Sequence, residues 1–225
     1  DENGTVTGKN YGSTEITATA LYGNISSSCK VTVAKSIYGK TVSTSLINPI
    51  EYTGKEQFPE FTIQDGETPL QEGIDYEFSY KNNVNAGTGT IYISGLGDYH
   101  GTFTKHFTIT PKPFDSVDVS GIKEKYFDGT EQVQTIQIKD GEMSLDEKKD
   151  YIITYEDNIG PGTATMTING QGNYSGSIIR TFKILKSIEE CTISGIENRL
   201  YTGSEQLQNL TVKDGDKQLE EGTDF

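Results

Sequence analysis

The chain has 225 residues, with 33 acidic against 19 basic side chains and a net charge of −14. No basic cluster interleaves with aromatics, so most of the surface repels a polyanion, and nucleic acid is excluded as a partner. Gly at 25, Tyr at 13, no Trp and no apolar run of membrane-spanning length lead to the expectation of a turn-rich chain with neither transmembrane segment nor signal peptide in this stretch.

The first 35 residues stand apart from the rest. In NGTVTGKNYGSTEITATALYGNISSSCKVTV, 3–33, Ile16, Ala18 and Ala20 alternate, Tyr22, Gly23 and Asn24 make a turn, and Cys29, Val31 and Val33 alternate again. This pattern predicts two strands joined by a hairpin.

From residue 42 the chain repeats itself, and a repeat fixes the architecture before any other feature does. Tyr52-Thr53-Gly54 returns as Phe127-Asp128-Gly129 and as Tyr201-Thr202-Gly203, offsets of 127 − 52 = 75 and 201 − 127 = 74. Glu56-Gln57, Glu131-Gln132 and Glu205-Gln206 follow. Then come Asp65-Gly66, Asp140-Gly141 and Asp214-Gly215, and Leu70, Leu145 and Leu219. Asp75-Tyr76 and Asp150-Tyr151 match Asp224-Phe225. Two copies continue through Tyr80 and Tyr155, Asn83 and Asn158, Gly87 and Gly162, Phe107 and Phe182, and Ile109 and Ile184. The expected organisation is a partial unit at 1–35, complete modules at 42–110 and 116–185 joined by a linker with Pro111 and Pro113, and a front half-module at 188–225. The half-module makes an interior fragment of a longer protein the expectation.

Within each module the pattern is that of strands. In 163–168, Ala164, Met166 and Ile168 share one parity and three threonines the other, the period of a half-buried strand. Asp-Gly at 65, 140 and 214 is a strong hairpin signal. No dozen residues show helical spacing. The fold class is therefore all-β, with tandem small β-sandwich modules in an extended array.

GLGDYHGT, 95–102, and GQGNYSGS, 170–177, carry three glycines each and so invite comparison with phosphate-binding loops. Such loops run into a helix N-terminus, whereas these run into TFTKHFTI and IIRTFKI, which are strand-like. A glycine-rich turn between strands is the reading that fits, with Tyr99 and Tyr174 packed inward.

The 3–33 segment resembles the closing half of a group 2 bacterial immunoglobulin-like (Big2) domain, in which a G-x-V-T-G turn leads to a final V-T-V strand. The 75-residue unit is similar to modules strung along large surface proteins of Gram-positive bacteria. Its order is Y-T-G, D-G, L-x-x-G-x-D-Y, S-Y-x-x-N, A-G-T, G-x-G-x-Y-x-G-T and F-x-I. This resemblance implies an immunoglobulin-like fold, secretion and attachment to the cell envelope. It carries no catalytic residues.

Residues capable of chemistry all have plainer roles available. His100 and His106 become Ser175 and Thr181 one repeat on, so the module does not require them. Cys29 and Cys191 fall in different modules at apolar strand positions, which predicts small buried residues rather than a disulfide. Asp65, Asp140 and Asp214 precede turn glycines, and Asp75 and Asp150 precede core tyrosines. Repeated acids mark what every module needs, whereas a catalytic pair is needed once. No lysine of one complete module aligns with a lysine of the other, which argues against a shared lysine-to-asparagine isopeptide bond. No catalytic, cofactor-binding or metal-binding residue is assigned, and no cofactor.

The expected function is a non-catalytic spacer or stalk segment of an extracellular bacterial cell-surface or cell-wall protein, with adhesion as an added role. Its partners are the neighbouring modules and a host or cell-wall glycan or protein. The alternative is a set of accessory or carbohydrate-binding modules in a secreted carbohydrate-active enzyme. Aromatic residues exposed on one face would favour sugar binding.

Overall fold

A computed structural model describes residues 5–23 and 25–222, so Asn24, Asp224 and Phe225 lie outside the described residues. The fold is all-β. Among the described residues, helical geometry is confined to two 3-10 turns, Phe114–Ser116 and Ile188–Glu190. Two compact units divide the chain: the first holds 1–112 together with 172–174, the second 113–171 together with 175–225.

Unit 1 begins with the hairpin expected at the N-terminus. Gly12–Thr19 pairs antiparallel with Ser26–Val33 as a two-stranded sheet, Ile16 facing Cys29. Only Ile16, Val31 and Val33 are half-buried, while Ala18 and Ala20 are exposed.

The rest of unit 1 has three small sheets. Val42–Thr44, Ile63–Asp65 and Thr68–Pro69 form one, in that order. A four-stranded sheet runs Ile50–Glu51, Thr102–Thr110, Gly87–Gly95, Tyr76–Lys81, with the first pair parallel and the others antiparallel. Lys35–Ser36 pairs in parallel with Tyr99–His100. Alternation puts Ile91 and Ile93 inward from the central strand, where they meet Ile37, Ile63, Phe107 and Ile109 in the core.

Unit 2 repeats this arrangement 75 residues later. Asp118–Ser120, Gln137–Asp140 and Met143–Ser144 form the three-stranded sheet, and Lys125–Tyr126, Ser177–Leu185, Gly162–Gly170 and Tyr151–Glu156 the four-stranded one. Even the register recurs: Ile50 faces Ile109, and Lys125 faces Ile184. Ala164, Met166 and Ile168 are fully buried, as their parity predicts, with Ile138, Phe182, Ile184 and Phe114 around them. Further along, Thr192–Ser194, Thr211–Asp214 and Lys217–Gln218 reproduce the three-stranded sheet alone. There Val212 is buried, but Ile193, Leu200, Tyr201, Leu207 and Leu210 are exposed, Tyr201 at 93%.

The hairpin turns differ slightly from the dipeptide expectation. Asp65 pairs with Thr68, Asp140 with Met143 and Asp214 with Lys217, so the aspartate closes the strand and glycine takes the first loop position. Gly66, Gly141 and Gly215 have φ of 63°, 58° and 60°, the left-handed backbone that a primed two-residue hairpin turn requires there. The Asp65 and Asp214 side chains thereby reach lysines outside the turn.

Candidate functional site

The recurrent polar residues serve the backbone. Asp75 Oδ2 accepts the Gln71 N–H at 2.8 Å, and Asp150 Oδ2 the Asp146 N–H at 3.0 Å, closing the loop before the edge strand in the same way twice. Gln57 N–H donates to the Asn83 carbonyl at 2.7 Å while Asn83 Nδ2 returns a bond to the Gln57 carbonyl at 3.1 Å. Gln132 and Asn158 repeat the exchange at 2.7 and 3.1 Å. Such reciprocal bonds satisfy buried amides that would otherwise carry a desolvation cost.

Each glycine-rich loop carries a buried tyrosine. Gly95 N–H donates to the Gly101 carbonyl and Gly170 N–H to the Gly176 carbonyl, both at 2.9 Å, pinching each loop shut before a strand. Tyr99 and Tyr174 are buried, Tyr174 with only 2% of its surface exposed. Within unit 1, the Tyr174 ring meets Tyr52 edge-on at 5.7 Å. Asn173 Oδ1 accepts the Ala86 N–H at 2.8 Å, and its Nδ2 donates to Asn85 Oδ1 at 3.0 Å.

One charged cluster escaped the sequence reading. Lys35 Nζ lies 2.7 Å from Asp65 Oδ2, which also accepts the Tyr99 hydroxyl at 2.9 Å. The Lys35 bond, then bonds from Thr41 and Tyr99, hold the Asp65 carboxyl down to about 2. Lys186 and Asp214 pair likewise, and Lys112 and Asp140 occupy the equivalent sequence positions. The signal was available: Lys35, Lys112 and Lys186 each open a KSI, KPF or KSI stretch, but these lie outside module bounds drawn at 42 and 116.

The histidines and cysteines behave unevenly. His106 Nδ1 lies 3.2 Å from Thr90 Oγ1, and His100 is exposed. No group of three His, Cys, Asp or Glu gathers as metal ligands among the described residues. Both cysteines are free thiols, and the expectation that they are buried is corrected: Cys29 is exposed and Cys191 half-buried. Cys29 shares a face of the two-stranded N-terminal sheet with Val31 and Val33, but it lies nearer the hairpin turn, where that face is open to solvent.

A groove in unit 1 is lined mainly by aromatic side chains. It encloses 490 Å³ between the edge strand Tyr76–Lys81 and the segment 58–62, within the usual range for ligand sites. Phe58, Phe61, Tyr76, Phe78 and Tyr80 line it, with Glu60, Glu72, Ser45 and Thr62 at its margins. Phe61 meets Phe78 at 5.0 Å and 73°, Phe58 meets Tyr80 at 5.3 Å and 80°, and Phe78 meets Tyr80 at 5.5 Å and 90°. Phe58 is 60% exposed. Tyr80 donates its hydroxyl to the Pro59 carbonyl at 2.7 Å, fixing the ring. Burial, reinforced by the negative charge of Glu72, raises the Tyr76 and Tyr80 hydroxyls above their ordinary range, and Glu60 adds to this at Tyr80.

No known family model matches the chain. No curated protein matches it either.

Proposed function

We propose that the chain is a non-catalytic, load-bearing segment of a bacterial cell-surface protein, built from tandem immunoglobulin-like β-sandwich modules that space and stiffen. The N-terminal hairpin is the closing part of a group 2 bacterial immunoglobulin-like domain in this reading. One observation carries it: among the residues that recur with the repeat, Asp75 and Asp150, and Asn83 and Asn158, direct their side chains to backbone, and Gln57 and Gln132 supply the main-chain groups that the two asparagines meet. Residues retained for chemistry would instead present polar atoms to solvent or to each other. The outward location is tested by labelling intact cells of the producing organism with an antibody raised against this chain. Staining without permeabilisation is expected, and staining only after permeabilisation would contradict it.

The aromatic groove favours a second reading, in which one module also binds a ligand, as an adhesin or an accessory module of a secreted carbohydrate-active enzyme would.

A further inference from the structure

The two repeats build the same sheets in the same register, so positions where they differ in kind are not dictated by the fold. The groove is such a place. Phe58, Phe61 and Phe78 stand where the second repeat has Val133, Ile136 and Ile153, and the third has Leu207 and Leu210 at the first two. Glu60 replaces Thr135 and Asn209. Pro59 replaces Gln134 and Gln208, whose amides exchange bonds with the backbone of Lys123 and of Glu197, at 2.7 and 3.0 Å in the second repeat and 3.0 and 3.2 Å in the third. Four consecutive wall residues and one facing strand residue thus change together in the first repeat alone. An aliphatic wall tied down by a glutamine becomes an aromatic wall with an added carboxylate.

Aromatic faces are negative, and they attract cations most where carboxylates stand close and water is partly excluded. Tyr76 lies 29° from Phe78 and 48° from Phe61 but is buried, whereas the exposed Phe58 meets Tyr80 at 80° and the Phe61–Phe78 and Phe78–Tyr80 pairs stand at 73° and 90°, so the open side of the groove presents ring faces and edges at steep angles to one another. Glu60 and Glu72 flank them, and Lys81, the nearest basic residue on the edge strand, has its Nζ 4.9 Å over the Tyr92 ring. Lys81 alternates with Phe78 and Tyr80 and faces away from the groove. Strand Tyr76–Lys81 ends its sheet, which gives an extended chain a strand to run beside.

We infer that this groove is a docking site for a basic partner segment, an extended peptide that places a lysine or arginine side chain between Phe58, Phe78 and the Glu60 carboxylate. The chain's net charge of −14 draws such a segment in. This site is independent of whether the modules act as spacers.

The test is a titration of the full 225-residue chain, followed by NMR of its phenylalanine ring signals. The probe is the peptide acetyl-Thr-Lys-Thr-Lys-Thr-amide, with its Nε-acetyl-lysine counterpart as the uncharged control. Phe58, Phe61 and Phe78 signals are expected to move with the charged peptide, and the acetylated one to bind about tenfold more weakly or worse. Phe78→Ile and Phe58→Val import the second repeat's own residues, so they keep the fold, and Glu60→Gln removes only a charge. Each should weaken the charged peptide several-fold with an unchanged unfolding midpoint. Equal response to both peptides, no response at the groove, or a groove that responds to neutral cello- or chito-oligosaccharides and not to the lysine peptide would each overturn the inference.

Discussion

Asp65 shows how a turn residue acquires a second use. Because glycine occupies the first loop position, the aspartate side chain is available to Lys35 and Tyr99, and its folded carboxyl titrates near 2 against an ordinary value of 3.8. A depressed carboxyl stabilises the fold fully above its unfolded value, and that contribution disappears as pH falls from about 4 towards 2. Asp65→Asn should therefore lower the thermal midpoint at neutral pH, and the gap to the wild type should close across that acid window. A gap that stays constant down to pH of about 2 would contradict the charge-based account. Tyr99 separates packing from hydrogen bonding. Tyr99→Phe loses only the bond to Asp65 and should cost about 1 kcal/mol in denaturant unfolding. Tyr99→Ala removes a buried ring and should cost about 3 kcal/mol or more.

At the scale of the element, what recurs was legible and what varies was not. The Asp-Gly hairpins, the strand parity of 163–168 and the inward tyrosines of the glycine loops could be read from the sequence because a short-range rule governs each: turn dihedrals, a period of two, and a ring too large to leave beside small residues. The Lys35 pairing was hidden because it joins a strand preceding the module to a hairpin 30 residues on, and no local pattern encodes that distance. The groove was hidden for the opposite reason. Aligning the repeats for agreement sets aside Phe58, Glu60, Phe61 and Phe78 as substitutions of detail, whereas aligning them for disagreement would have singled them out. The buried reading of Cys29 failed because alternation tells which residues share a face but not whether anything covers it. The same limit governs the three-stranded sheet at 192–218, whose counterparts are each followed in the chain by a four-stranded sheet. With Ile193, Leu207 and Leu210 open to water, its amides should exchange with deuterium much faster than those of Gly87–Gly95 and Gly162–Gly170. Equal protection would mean that the short sheet stands by itself.

At the scale of the whole molecule, the account rests on a module that is complete in about 75 residues and is used again with the same sheets and register. Its four-stranded sheet joins the first and last strands in parallel, Ile50 to Ile109 and Lys125 to Ile184. A pull on the chain therefore loads this pair together with the long antiparallel pairs beside it, and each module should resist as a unit. Single-molecule extension of the 225-residue chain tests this most directly. Two unfolding events of equal contour length, each about 250 Å for a module of this size, are the predicted result. One event releasing both modules together, or extension without resistance, would contradict the claim that the chain is an array of separate load-bearing modules.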